Sequence, residues 1–263
     1  MIPVNEIPNI SQTTAMGSNN SQIGLQYNHE EHYHQGLSVA DATAMALEIF
    51  RQYFPQLQKE AQESLRVMLD EELTKRAPKQ INPPSARIAV STLQGASVSD
   101  EEDVRKLYAK LLASSMDVAT SSQTHPAFPK IIDQMSAFDA KLMKKIVEIS
   151  NSIPVANVQF TFDNMYLTSV IPHYYSPYFD DLNDPWATSL SIENLARLQL
   201  INLFDGTVET YDYDKFKTEP FVLERFEFAK KHNPTRNLTI KVRKYVIQLN
   251  DFGRRFIELC ITD

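Results

Sequence analysis

Residues 95–145 constrain the fold more than any other stretch, because three helix starts and two apolar stripes follow one another there. Ser99 stands three residues before Glu102. That spacing predicts a capping box, in which the hydroxyl takes an orphan backbone N–H and the Glu reaches back to the cap. Val104, Leu107, Tyr108, Leu111 and Leu112 then recur at helical spacing. His125-Pro126 restarts the chain, and Phe128, Ile131, Ile132 and Met135 form a second stripe. Ser136 with Asp139 opens a third helix. The block predicts a compact helical domain and carries no obvious catalytic motif.

The flanking sequence extends this pattern. From Val39 to about Ala77, Ala42, Met45, Ile49, Tyr53, Leu57, Ala61, Leu65 and Met68 fall on one helical face, with Ser38 as the cap. Pro55 inside this run removes a helix hydrogen bond, so a kink or two helices are expected. Arg87–Leu93 reads as a short helix leading into Ser99, and Pro154 as the stop for the third helix. Val158, Phe160 and Phe162 alternate with Gln159 and Thr161, as in a half-buried strand. Residues 171–187 hold many aromatics, which must bury somewhere, so an ordered loop is expected. The last third reads as a winged helix. Ser191 would cap a helix with Leu190 and Leu195 as a hydrophobic staple. Residues 238–249 would form one strand or half a hairpin, and Asn250 would cap a closing helix. Residues 205–235 would be an insertion with a helix carrying Phe221, Leu223, Phe226 and Phe228. The predicted class is mainly α (α+β): a polar tail over 1–36, a helical module over 37–152, and a winged-helix-like module with a small β-hairpin over 153–263.

Several motifs in this order resemble the Abi-alpha family, a bacterial group named for phage abortive infection. They are the acidic start Asp100–Asp103, Leu111-Leu112-Ala113, His125-Pro126-Ala127-Phe128 and Ser136–Lys141. Ser191–Ile201 resembles the family's S-x-x-N-L-x-R-L-G-L-I, and Leu249–Gly253 its L-T-x-x-G. Gln199 stands where the family has Gly, and Asn250 where it has Thr. The resemblance implies a role in phage defence and supplies no mechanism.

Composition narrows the chemistry. The single cysteine, Cys260, cannot form an internal disulfide, so a reducing cytosol is expected. No run approaches the ~20 apolar residues that span a bilayer, and no secretory signal is read. A net charge of −7 argues against a surface devoted to nucleic acid, though not against a local patch. One such patch is expected in the wing, where Lys241, Arg243 and Lys244 could contact phosphates. An acidic run from Asp205 to Glu227 precedes it and could neutralise it.

Other constellations are weaker. In the polar tail, Asn19, Asn20, Gln22, Ile23 and Gly24 could stack as in-register strands, resembling the Q-I-G centre of RHIM-like assembly motifs. The same residues also read as a plain flexible tail. His29, His32 and His34 could capture a metal but lack the paired scaffold of a structural site, so no metal or other cofactor is expected. His125 reads as a helix-entry residue and Cys260 as a buried hydrophobe. The expected function is non-enzymatic phage defence through a protein partner or self-assembly. A DNA-binding regulator and a nuclease using the loop acids Asp163, Asp180, Asp181 and Asp184 remain as alternatives.

Overall fold

The computed structural model describes residues 36–53, 59–77, 80–162, 165–166 and 174–262. Nine α-helices and four strands are formed by these residues: α1 (Val39–Tyr53), α2 (Lys59–Thr74), α3 (Ala86–Val98), α4 (Glu102–Met116), α5 (Phe128–Ile132), α6 (Ala137–Ile149), β1 (Ser152–Phe162), β2 (Met165–Tyr166), α7 (Pro185–Arg197), β3 (Ile201–Asp205), α8 (Pro220–His232), β4 (Thr239–Leu249) and α9 (Asp251–Cys260). The class is mainly α with some β, as expected. Among the described residues, no helix is long and apolar enough to cross a membrane.

Local chemistry sets most helix starts. Ser38 Oγ accepts from Asp41 N at 3.1 Å and so caps α1. Ser136 and Asp139 form the expected capping box on α6. Asn250 Oδ1 accepts from Gly253 N at 2.8 Å and starts α9. The run expected around Pro55 is two helices, α1 and α2, with residues 54–58 outside the described set. Thr43 Oγ1 ties these two helices by donating to Asp70 Oδ1 at 2.6 Å.

Four local expectations are corrected. Ser99 is the C-cap of α3 and not the N-cap of α4, whose cap position is Glu101. α3 itself runs on to Val98, beyond the Arg87–Leu93 that the sequence predicted, from a Ser85 cap. Ser191 does not start a helix. It is buried inside α7, which begins six residues earlier at Pro185. Asp184 Oδ1 there accepts from both Trp186 N and Ala187 N. An Asp cap followed by Pro at the first helical position is the stronger start signal, and it displaces the Ser191 cap and the Leu190 staple. Pro154 does not end α6, which stops at Ile149, but lies within β1.

The sheet has the order β2-β1-β4-β3, with antiparallel neighbours throughout. β1 and β4 pair from Ser152↔Gln248 to Thr161↔Thr239, and β3 lies on the far side of β4. Pro154 needs no ladder partner for its missing N–H. Two residues on, Ala156 exchanges both backbone bonds with Tyr175, at 2.9 and 2.8 Å, on the side of β1 away from β4. The alternation of a strand turns the nitrogen of residue 154 to that same outer side, the position at which a sheet tolerates proline.

The same alternation gives the sheet two apolar faces. Ile153, Val155, Tyr245 and Ile247 join the main core with the buried sides of α1 to α7 and α9. Ala156, Val158, Phe160 and Phe162 face the other way, into a second cluster with Phe216, Val222 and Ala229. The helix expected in the insertion is α8, and it covers this second face.

Candidate functional site

The motif residues of the two halves of the chain meet at one polar joint. Asp139, only 4% exposed, accepts from Ser136 N at 2.8 Å, Ser136 Oγ at 2.9 Å and Asn194 Nδ2 at 3.1 Å. Asn194 Nδ2 also donates to Gln134 O, and Asn194 Oδ1 accepts from Arg197 Nη2 at 2.7 Å. Arg197 Nη1 reaches back to Gln134 Oε1 at 2.8 Å. Glu101 Oε2 takes the free N–H of Ala137 at the start of α6 at 2.6 Å.

An apolar joint lies beside it. Phe252 of α9 packs on Phe128 and His125, with ring centroids 5.3 and 5.5 Å apart, and Phe256 meets Phe128 edge-on at 5.3 Å. His125 Nδ1 accepts from Ala127 N at 3.1 Å, which is the helix-entry role expected of it. Asn250 Nδ2 donates to Gln199 O at 2.9 Å, joining α9 to the end of α7. Buried polar groups with several partners each fix one arrangement of the elements that carry them. The motifs therefore act first as the fastening between α5, α6, α7 and α9.

The three basic residues expected to contact phosphates, Lys241, Arg243 and Lys244, lie in β4 and divide between its two faces. In β4, Lys241 and Arg243 alternate to one face and Lys244 to the other. Arg243 is clasped by Asp205 through two bonds of 3.1 and 2.8 Å and lies over the Tyr245 ring. Lys244 Nζ sits 5.5 Å from the centre of the Tyr213 ring. The neutralisation of bases by the preceding acids thus holds for Arg243 and Asp205. The segment Asn19, Asn20, Gln22, Ile23 and Gly24, the histidines His29, His32 and His34, and Asp163 lie outside the described residues. Among the described residues, no group of three or more His, Cys, Asp or Glu is placed to hold a metal ion. Cys260 is fully buried, and burial pushes its thiol well above the ordinary range.

A further locus follows from the aromatic segment, for which the sequence required only burial. A 3₁₀ turn over Pro177–Leu182 and the start of α7 enclose a cleft of about 170 Å³, with Tyr175, Phe179, Asp180 and Thr188 in its lining. The Tyr175 ring stacks on Phe221 of α8 at 5.4 Å, and Tyr178 meets Tyr211 at 5.9 Å. Glu219 directly precedes α8 and lies near enough to Asp180 for their charges to interact. Burial raises the carboxyl pKa of Asp180, with Asp181 adding to the effect. Burial also raises that of Glu219, with Asp180 adding and Lys215 opposing. Burial pushes the Tyr211 hydroxyl up to about 12, with Glu219 contributing. Asp181 itself is engaged by Lys145 at 2.7 Å, while Asp184 caps α7.

A family model described as abortive infection alpha matches residues 57–260. No curated protein and no solved structure matches the chain.

Proposed function

The chain belongs to the abortive infection alpha family, and on that premise we propose that it serves phage defence by contact with a protein surface, without turning over a substrate. The family gives the defence role. The contact reading is carried by the outward face of α7. Trp186 and Leu190 stand one turn apart there, 45% and 70% exposed. Residues four apart on a helix share a face. The inward face of α7 is immobilised, with Ile192 and Leu195 buried and Asn194 and Arg197 held in the polar joint.

A rigid helix that turns a tryptophan and a leucine to solvent suits recognition. Neighbouring apolar side chains on a surface mark contact sites, and tryptophan is enriched in them. Trp also brings a large area for the loss of only two side-chain torsions. The partner is a protein, with a second copy of the chain included in that class.

The double variant Trp186→Ser, Leu190→Ser should abolish protection of a phage-challenged bacterial culture. Its far-UV spectrum should be unchanged and its stability within about 0.5 kcal/mol of the parent, as for surface substitutions. Full protection by a folded double variant would end the contact reading.

A further inference from the structure

Helix α8 carries more apolar surface than the cluster beneath it uses. On its inner side Val222 and Ala229 are buried, Phe226 meets Phe160 edge-on at 5.0 Å, and Phe221 stacks on Tyr175. A surface helix ordinarily turns its polar residues outward. Here Phe228 stands 55% exposed, although the His232 ring lies against it at 4.1 Å. Glu224 is four residues before Phe228 and Lys231 three after it, so all three share one side of the helix. Both charged residues are exposed, and among the described residues neither has an ion-pair partner. Glu227, which lies between them, is engaged by Lys230 at 3.0 Å. The outward side of α8 therefore offers a free acid in its first half, a free base in its second, and an aromatic ring between them.

We propose that this side of α8 binds a second copy of the chain, with the two α8 helices antiparallel about a two-fold axis. An axis midway between Glu227 and Phe228 sets Glu224 opposite the partner's Lys231, and each contact then occurs twice. Both charges lie about 5 Å along the helix from that midpoint, so the two pairs form together. The two Phe228 rings come within about 1.5 Å of the same level and cover each other. A parallel arrangement would instead set acid against acid and base against base, which is unfavourable. An acid and a base placed on either side of one ring match their own reverse. That self-matching selects a copy of the chain over a foreign protein. One helix of 13 residues supplies less than the roughly 800 Å² per partner of a standard interface. The association is accordingly weak, with Kd on the order of 100 µM. This assignment goes beyond the contact reading and rests on a different helix, since Trp186 and Leu190 belong to α7.

Sedimentation equilibrium of the full chain, over concentrations that bracket this Kd, measures the pairing. The parent should pass from monomer to dimer. Glu224→Lys and Lys231→Glu should each weaken the dimer about tenfold, since each turns two attractive pairs into two repulsive ones. Mixed in equal amounts, these two variants should pair with each other as tightly as the parent pairs with itself, because every cross pair is again an acid against a base. Misfolded chains would not show that recovery. Phe228→Ser should weaken pairing by a similar factor, with an unchanged far-UV spectrum as for surface substitutions. The double variant Trp186→Ser, Leu190→Ser should dimerise as the parent does, which separates this surface from the one on α7. A parent that stays monomeric, a mixture no tighter than either variant alone, a dimer undiminished by Phe228→Ser, or a dimer lost on changing α7 would overturn the proposal.

Discussion

At the scale of single residues, Gln199 shows how a departure in sequence becomes a cost in the fold. It has φ +60°, in the left-handed region. Its N–H bonds to Ala196 O and that of Leu200 to Leu195 O, each at 3.0 Å. That pair of bonds is the Schellman ending of a helix, whose left-handed position favours glycine. The resemblance placed Gly here, and the backbone supplies the reason. Gln199→Gly should stabilise the protein by about 0.5–1 kcal/mol, the left-handed penalty less the entropy of glycine. A denaturant midpoint at or below the parent's would contradict this. Residue-scale signals were legible where cause and effect lie within one turn. The caps at Ser38, Ser136 and Asn250 are of this kind. Ser99 misled because a second helix ends at the residue where the capping box would begin, and the preceding element claimed it.

At the scale of elements, hydrophobic period located most helices and both long strands. Its failures came from competition between neighbouring start signals and from strand geometry. Asp184-Pro185 outcompetes Ser191, and Pro154 sits in a strand because its nitrogen faces outward. The polar joint could not be read from the sequence, since Asp139 and Asn194 are 55 residues apart. The same is true of the aromatic contact between Tyr175 and Phe221, which come from separate segments. The docking of α9 is the clearest element-scale test. A Cβ at Gly253 would lie 1.9 Å from the backbone oxygen of Leu200, a separation that requires the helix to move. Gly253→Ala should therefore cost about 3 kcal/mol, the upper end for overpacking, although alanine is the better helix former. A melting temperature equal to the parent's would show that α9 does not need this close approach.

At the scale of the whole molecule, one main core draws on α1 through α7, the inner ends of β1 and β4, and α9. Two bonds from α4 reach the end of the chain: Ser114 Oγ to Leu259 O and Lys110 Nζ to Ile261 O, both at 2.9 Å. Shared burial of this kind couples the segments before and after residue 152 in unfolding. Loss of helical signal and reaction of the Cys260 thiol with a disulfide reagent should follow one denaturant transition. Thiol reaction well before the helical signal falls would separate α9 from the rest. The treatment of the outer margin of β1 has a consequence for crowding. Proline removes one donor there, Tyr175 occupies the next site, and β2 pairs the far end. A margin partly occupied in this way offers foreign strands less to copy. On this side of the sheet, the folded bodies of neighbouring chains are thereby hindered from fusing into a continuous ribbon.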